Sequence, residues 1–213
     1  GGNGDIFVVA PDGEEMRELT DSWDRSPATS SFGDTWSARE HTPLSWAADG
    51  SGVTFTASDK GQVGIFKATL SGDVELVAGG ERTIANVSRS ADGSRLAFIA
   101  GSFTNPCDVF TCKSDGSDER QLTNVNAELL GELTIQTPEH MPFESFDGAY
   151  TLDAWIIRPV GVEEGTKAPL VQIIHGGPHS IFGHTFFFDM QLWASQGRNV
   201  LFMSPRASQG YGE

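Results

Sequence analysis

A short apolar stretch ending in two glycines has the clearest chemical potential in this 213-residue chain. Residues 170–174 form a β-branched run typical of a buried strand, and His175, Gly176, Gly177 and Pro178 follow it directly. Because glycine adopts backbone conformations closed to other residues, the amides of this loop can point into a cavity instead of a strand ladder. Such N–H donors stabilise the negative oxygen that forms when a nucleophile attacks a carbonyl carbon. We therefore predict that this loop, made of His175, Gly176, Gly177 and Pro178, forms half of an oxyanion hole.

The nucleophile that such a hole would serve is not recognisable in the sequence. A Gly-x-Ser-x-Gly elbow, which exposes a serine on a sharp strand-to-helix turn, occurs nowhere in the 213 residues. His175 is expected to hold the loop rather than to act as a general base. His179 and Arg206 are weaker candidates for contacts with substrate. Arginine pairs well with carboxylates, but pinning the loop at 204–212 is the more frequent role for such a residue.

Metal chemistry and a local catalytic acid are both disfavoured. His175, His179 and His184 have spacings of four and five, but the Gly-Gly-Pro between the first two prevents the regular helix that would align them. We predict no metal and no cofactor. Hydrolases with the serine elbow carry their triad in the order Ser, Asp or Glu, His. The aspartates near the loop precede any such serine and are rejected as triad acids: Asp147, Asp153 and Asp189.

The first 125 residues contain a repeat. Asp-Gly-Ser triplets begin at positions 49 and 92, which are 43 residues apart. A third copy at residues 5–20 aligns with residues 108–123 at an offset of 103. A period of about 40–50 residues, with short strands joined by Asp-Gly or Ser-Gly turns, is typical of β-propeller blades. We predict two nearly complete blades, at about 43–80 and 84–124, preceded by the tail of another.

A different pattern begins near residue 124. The elements expected in it are a hairpin turning at Asp147–Gly148, a strand at 170–174, a helix at 187–196 and a strand at 199–203. A strand, a helix and a strand in this order predict a crossover connection in a mixed or parallel sheet. The predicted fold class is β-propeller blades followed by the N-terminal part of an α/β-hydrolase domain. The predicted boundaries are a partial propeller of about two and a half blades at 1–124, a linker at 125–143, and the hydrolase part at 144–213, truncated before the nucleophile.

The charge balance limits the partners. Fourteen Lys and Arg against 29 Asp and Glu give a net charge of −15, which repels nucleic acid and anionic membranes. No run approaches the ~18 apolar residues of a membrane helix. Cys107 and Cys112 are expected to be two reduced thiols rather than a disulfide, which favours a cytoplasmic location.

These motifs, in this order, resemble those of the prolyl oligopeptidase family of serine peptidases, in particular its acylaminoacyl-peptidase branch. The segments that carry the resemblance are residues 146–148, 155–159, 175–179, 191–197 and 204–212. In that family the nucleophile, acid and base all lie C-terminal to the segment that matches Tyr211-Gly212. The resemblance assigns the oxyanion donor to Gly177 and maps no triad residue onto this chain. One departure is Ala207, where family members usually carry Gly; we expect no loss of fold unless that position needs a positive φ.

The resemblance implies a serine peptidase that hydrolyses short peptides, including N-acylated ones, through an acyl-enzyme. The propeller would restrict access to small substrates, and this chain alone would be inactive. The implied partners are a short peptide substrate, a C-terminal catalytic fragment of the same protein, and further copies of the parent protein in a homo-oligomer. Two alternatives stay open, a carboxylesterase of the α/β-hydrolase fold and a non-catalytic propeller that binds a partner.

Overall fold

The structure is a computed structural model that describes residues 3–29, 31, 33–35, 44–163, 165–177 and 179–212. Within these ranges the regular elements are mostly β-strands, with two short helices. The N-terminal strands are β1 (Phe7–Val9), β2 (Met16–Glu18), β3 (Ser45–Trp46), β4 (Gly52–Asp59), β5 (Gln62–Thr69), β6 (Val74–Ala78), β7 (Thr83–Arg89), β8 (Arg95–Gly101), β9 (Asp108–Lys113) and β10 (Arg120–Gln121). The C-terminal elements are α1 (Ala127–Glu132), β11 (Glu139–His140), β12 (Phe143–Glu144), β13 (Thr151–Leu152), β14 (Ala154–Ile157), β15 (Leu170–Ile173), α2 (Phe188–Ser195) and β16 (Asn199–Met203).

Strands β3 to β10 form two antiparallel meanders of four strands each, the arrangement predicted for two blades. Each of β3–β6 pairs with its neighbour in sequence, and so does each of β7–β10. Both meanders use the predicted Asp-Gly turns, in which Gly50 and Gly93 adopt φ of +70° and +72°. One parallel strand pair, Val63 of β5 with Thr83 of β7, joins the two meanders. The mostly-β character predicted for this part of the chain is confirmed.

The third copy of the repeat has the same hydrogen bonds as the second. The Ile6 N–H donates to Thr20 Oγ1 at 3.0 Å, and the Val109 N–H donates to Thr123 Oγ1 at 2.9 Å. The pairing of β1 with β2 and of β9 with β10 also has the same register at the offset of 103 residues. The aligned copies are therefore the same structural unit, as the repeat predicted.

A second sheet, in the order β11-β14-β16-β15, carries the glycine loop. β15 and β16 are parallel and α2 lies between them in sequence, as the strand–helix–strand pattern predicted. The other pairs in this sheet are antiparallel. Met190 and Ala194 of α2 are buried in one apolar cluster with Val200 and Phe202 of β16, which attaches the helix to the sheet.

The prediction that residues 170–174 form a buried strand is wrong in one respect. The strand is present as β15, but it lies at the edge of its sheet, with Leu170 57% and Ile174 73% exposed. The run has the composition of a strand covered on both faces. Leu170, Gln172 and Ile174 share one face of the strand, and all three are exposed, so this face is not covered by the described part of the chain.

The predicted hairpin is present between β12 and β13. The Gly148 N–H donates to Ser145 O at 2.8 Å, and Gly148 has a φ of +69°, so the chain turns at Asp147–Gly148 as expected. The segment predicted as a linker contains α1, a helix of six residues that the sequence did not indicate. None of its residues is buried, so it has no apolar face whose periodicity would have marked it.

The two sheets are joined at the turn between β4 and β5. The Lys60 N–H donates to Gly210 O at 2.9 Å, and the His184 N–H donates to Gly61 O at 2.8 Å. A Cβ on Gly183 would lie 1.9 Å from Gly61 O, so this close approach requires glycine. The turn thereby positions the segment that follows the glycine loop.

Cys107 and Cys112 are both free thiols, as predicted. Neither helix in the described ranges has the length and apolar character required to cross a bilayer.

Candidate active site

The glycine loop and the loop after β16 lie side by side. Because β15 and β16 are parallel, their carboxyl ends meet at one edge of the sheet. The residues at 174–177 leave that edge from β15, and the residues at 204–212 leave it from β16. His175 Nε2 lies 3.0 Å from Ser208 Oγ and connects the two loops. The sheet topology therefore brings together two of the motifs singled out from the sequence.

Gly177 holds a backbone conformation that residues with side chains rarely adopt. Its φ is +139°, and a Cβ there would lie 2.9 Å from His179 N and 3.2 Å from Ser180 N. Among the described residues, no group accepts a hydrogen bond from the N–H of Gly176 or of Gly177. Both glycines are exposed, so these amides are available to a ligand. Pro178, predicted to shape the same loop, lies outside the described residues.

His175 uses both ring nitrogens within the two loops. Its Nδ1 lies 3.0 Å from Gly176 O, and its Nε2 lies 3.0 Å from Ser208 Oγ. The ring also meets Phe182 edge-on, with a centroid distance of 5.2 Å. Neither nitrogen is left to take a proton from a nucleophile, so the contacts of His175 are those of a residue that holds the loop.

Arg206 is engaged by the hairpin β12–β13. Its guanidinium forms an ion pair with Asp147, and its Nη2 lies 3.2 Å from Ser145 Oγ. The guanidinium also lies over the rings of Tyr150, at 4.7 Å, and Phe146, at 5.3 Å. Hydrogen bonds from Arg206 and from the Ser145 hydroxyl hold the pKa of Asp147 well below its usual range. These contacts attach the loop after β16 to the hairpin. They also pair the Arg206 guanidinium, the candidate partner of a substrate carboxylate, with Asp147.

The other two histidines near the glycine loop, His179 and His184, have different surroundings. His179 is exposed and makes no hydrogen bond to another described residue. His184 is buried against Phe103, at a centroid distance of 4.5 Å, and Trp155, at 6.0 Å, and this burial lowers its pKa. In the ranges that the structure describes, no three His, Cys, Asp or Glu side chains are grouped to hold a metal ion.

The structure adds a partly buried contact that the sequence did not indicate. The Tyr211 hydroxyl donates to Asp153 Oδ2 at 2.8 Å, and His140 Nε2 lies 2.7 Å from Asp153 Oδ1. Burial and the Asp153 carboxylate both raise the pKa of Tyr211, so the phenol stays protonated and keeps donating. The Gly-Tyr-Gly pattern marks a tyrosine in a tight loop, but nothing in it identifies the partner 58 residues away.

Ala207 has a φ of +68°, so the position where family members usually carry glycine does need a positive φ. A residue with a Cβ is strained in this left-handed region. The strained residue lies between Arg206, which contacts the hairpin, and Ser208, which contacts His175. The sequence could have identified this strain only through the resemblance, because the alanine itself gives no local signal.

Comparisons with known proteins show that the chain is similar to parts of several peptidases. No protein-family model matches it. It is 32% identical over 196 residues to the uncharacterized peptidase YuxL of Bacillus subtilis (strain 168), which covers 92% of this chain and 29% of that protein. It is 26% identical over 206 residues to dipeptidyl-peptidase 5 of Trichophyton equinum, covering 93% of this chain and 26% of that protein.

The fold is also similar to a solved peptidase structure. The acylaminoacyl peptidase of Pyrococcus horikoshii superposes with a TM-score of 0.77 at 30% identity, over 99% of this chain and 29% of that one. The chain thus spans between a quarter and a third of the length of these relatives. The resemblance stated from the motifs is confirmed: the relatives are peptidases and the similarity runs over nearly the whole chain.

Proposed function

We propose that this chain is part of a serine peptidase that hydrolyses short peptides, and that its glycine loop supplies one of the two oxyanion-hole donors. The observation that carries the proposal is the Gly177 N–H, which has no acceptor among the described residues and lies at the carboxyl end of a parallel strand. The peptidase relatives, which are three to four times longer, support the reaction class. The nucleophile, acid and base would come from residues outside this chain.

The chemistry follows from where charge develops. Attack of a serine on the scissile carbonyl places a negative charge on the carbonyl oxygen, and a preorganised N–H stabilises that charge more than it stabilises the ground state. The Gly177 amide would contribute on the order of 3 kcal/mol to the transition state, the typical loss when one such donor is removed. Stabilisation of an oxyanion by a backbone N–H uses neither a metal nor a cofactor.

We also propose the division of the chain that the sequence suggested. Residues 1–124 would be part of a propeller, residues 144–213 the first part of an α/β-hydrolase domain, and residues 125–143 the connection between them. The four-stranded meanders support the first assignment, and the parallel β15–β16 pair joined through α2 supports the second. The propeller would limit access to short peptides. The similarity to the acylaminoacyl peptidase of Pyrococcus horikoshii favours N-acylated peptides as the substrate class.

The test uses the longer protein that contains this sequence, side by side with the 213-residue chain. Both are incubated with a fluorophosphonate probe, an N-acetylated peptide anilide and a simple p-nitrophenyl ester. We expect the longer protein to take the label and cleave the peptide, and the 213-residue chain to do neither. Cleavage of the ester alone would replace the peptidase by a carboxylesterase. A longer protein that neither labels nor hydrolyses would favour the binding propeller.

A further inference from the structure

Ser208 lies at the centre of a chain of hydrogen bonds between the two loops. It is buried, and its Oγ lies 2.6 Å from Pro205 O and 3.0 Å from His175 Nε2. On the other side of the imidazole, Nδ1 lies 3.0 Å from Gly176 O. The connection therefore runs from the loop after β16, through a hydroxyl and a ring, to one backbone carbonyl of the glycine loop.

The hydrogens of this chain can be assigned because carbonyl oxygens only accept. The contact with Gly176 O requires a hydrogen on His175 Nδ1. When Ser208 donates its single hydroxyl hydrogen to Pro205 O, Nε2 must also carry a hydrogen and donate to Oγ. A neutral imidazole has a single N–H hydrogen, so it cannot keep every one of these bonds. Either the hydrogen is on Nδ1 and Ser208 turns its own hydrogen from Pro205 O to Nε2, or it is on Nε2 and the bond to Gly176 O is lost. In each case the contact between Nε2 and Oγ joins the ring to Ser208.

The carbonyl that His175 holds belongs to the same peptide unit as the proposed oxyanion donor. Gly176 C=O and Gly177 N–H lie in one plane and, in a trans peptide, point in opposite directions. A bond that fixes the direction of this carbonyl therefore fixes the direction of the N–H. Glycine on both sides of the unit offers little resistance to its rotation, so the aim of the N–H depends on outside contacts.

We propose that Ser208 is a positioning residue for the oxyanion donor: its Oγ, which donates to Pro205 O, fixes the His175 ring at Nε2, and Nδ1 of that ring holds the Gly176 carbonyl and thereby aims the Gly177 N–H. The left-handed φ of +68° at Ala207 belongs to the same device, because it lies in the turn that places Ser208 beside His175. The proposal rests on the proposed function for its catalytic meaning, but the hydrogen-bond relay itself is independent of catalysis.

The first test reads the relay in the 213-residue chain by NMR. The variant is Ser208→Ala, and the matched control is Ser195→Ala, whose hydroxyl likewise donates to the carbonyl three residues earlier, Leu192 O at 2.8 Å, but lies on α2. We expect S208A to move the Gly177 amide resonance and the ring resonances of His175. S195A should change neither. Unchanged Gly177 and His175 signals in S208A would overturn the proposal.

A second variant covers the case in which S208A folds poorly. In His175→Asn the side-chain amide replaces Nδ1–H as donor to Gly176 O but cannot reach Ser208. Adding S208A to H175N should then leave the Gly177 resonance where H175N alone has it. A further shift of the same size as in the wild-type background would show that Ser208 acts by another route and would overturn the proposal.

Kinetics in the longer protein separate this inference from the proposed function. S208A should lower kcat about 10-fold with little change in KM, because a misdirected donor is felt mainly in the transition state. Normal kcat in S208A, in an active peptidase, would overturn the inference alone. The NMR response without any peptidase activity in the wild-type protein would support the relay and overturn the proposed function alone.

Discussion

At the scale of single residues, Gly177 and Gly176 are adjacent glycines with different requirements. Gly177 has φ +139° and a Cβ there would crowd two backbone nitrogens, whereas a Cβ on Gly176 meets nothing within 4 Å. We expect Gly177→Ala to lower kcat of the longer protein about 10²–10³-fold, because the donor would be displaced. Gly176→Ala is the matched control and should lower kcat much less. Equal losses in the two variants would contradict the assignment of the donor to Gly177.

At Ala207 we predict a gain from the reverse substitution, alanine to glycine. A left-handed residue with a Cβ costs about 1–2 kcal/mol, and glycine gives back about 0.4–1 kcal/mol through the greater freedom of the unfolded chain. Ala207→Gly should therefore stabilise the fold by about 0.5–1 kcal/mol in urea unfolding. Ala149→Gly, at an exposed loop alanine outside the left-handed region, should destabilise it. A loss of stability in both variants would contradict the strain at Ala207.

At the scale of elements, the hairpin β12–β13 depends on Arg206 for its attachment. Arg206→Ala removes the ion pair and both ring contacts, so amide hydrogens of the hairpin should exchange several-fold faster. The control is Arg198→Ala, which removes a guanidinium stacked on Trp193 at 5.1 Å and should leave hairpin exchange unchanged. Unchanged exchange in R206A would show that the hairpin is held by its own turn alone.

The same attachment has a defined dependence on pH. The pKa of Asp147 is lowered in the folded state, first by Arg206 and then by Ser145. A lowered carboxyl pKa contributes stability above its unfolded value of about 3.9 and loses it as pH falls toward the folded value. The amide hydrogens of the hairpin should therefore exchange faster in R206A than in the wild type at neutral and at mildly acid pH.

The elements show what local sequence determines. Period-2 alternation and Asp-Gly turns are local, so the meanders, the hairpin and the strands β15 and β16 were predicted to within a few residues. Contacts between distant loops are not local. His175 meets Ser208 33 positions away because the parallel register of β15 and β16 places their loops at one edge. Arg206 meets Asp147 59 positions away, in the turn of the β12–β13 hairpin. Residue types indicated the candidate loop, and only the topology gave its supports.

At the scale of the whole molecule, the two sheets meet around His184. Its backbone is bonded to the β4–β5 turn, and its ring packs against Phe103, from the loop after β8, and Trp155 of β14. A protonated imidazole here would place a charge in an apolar contact between the sheets. The junction therefore combines a backbone contact that tolerates only glycine with a ring that must stay neutral.

This arrangement predicts a loss of stability in mild acid. Burial is the first cause that lowers the pKa of His184; the charge of His140 lowers it further, while Glu81 and Asp153 oppose the shift. As pH falls through about 6.5, the unfolded chain takes up a proton that the folded chain does not, so the free energy of unfolding declines.

The measurement is urea unfolding of the 213-residue chain between pH 7.5 and 5. His184→Phe keeps a ring of similar size without the titrating group, so it should flatten the decline over this range. His179→Phe changes an exposed histidine and should leave the slope of wild type. If H184F keeps the full decline, then the acid sensitivity comes from other groups, and the contact between the sheets does not depend on a neutral His184.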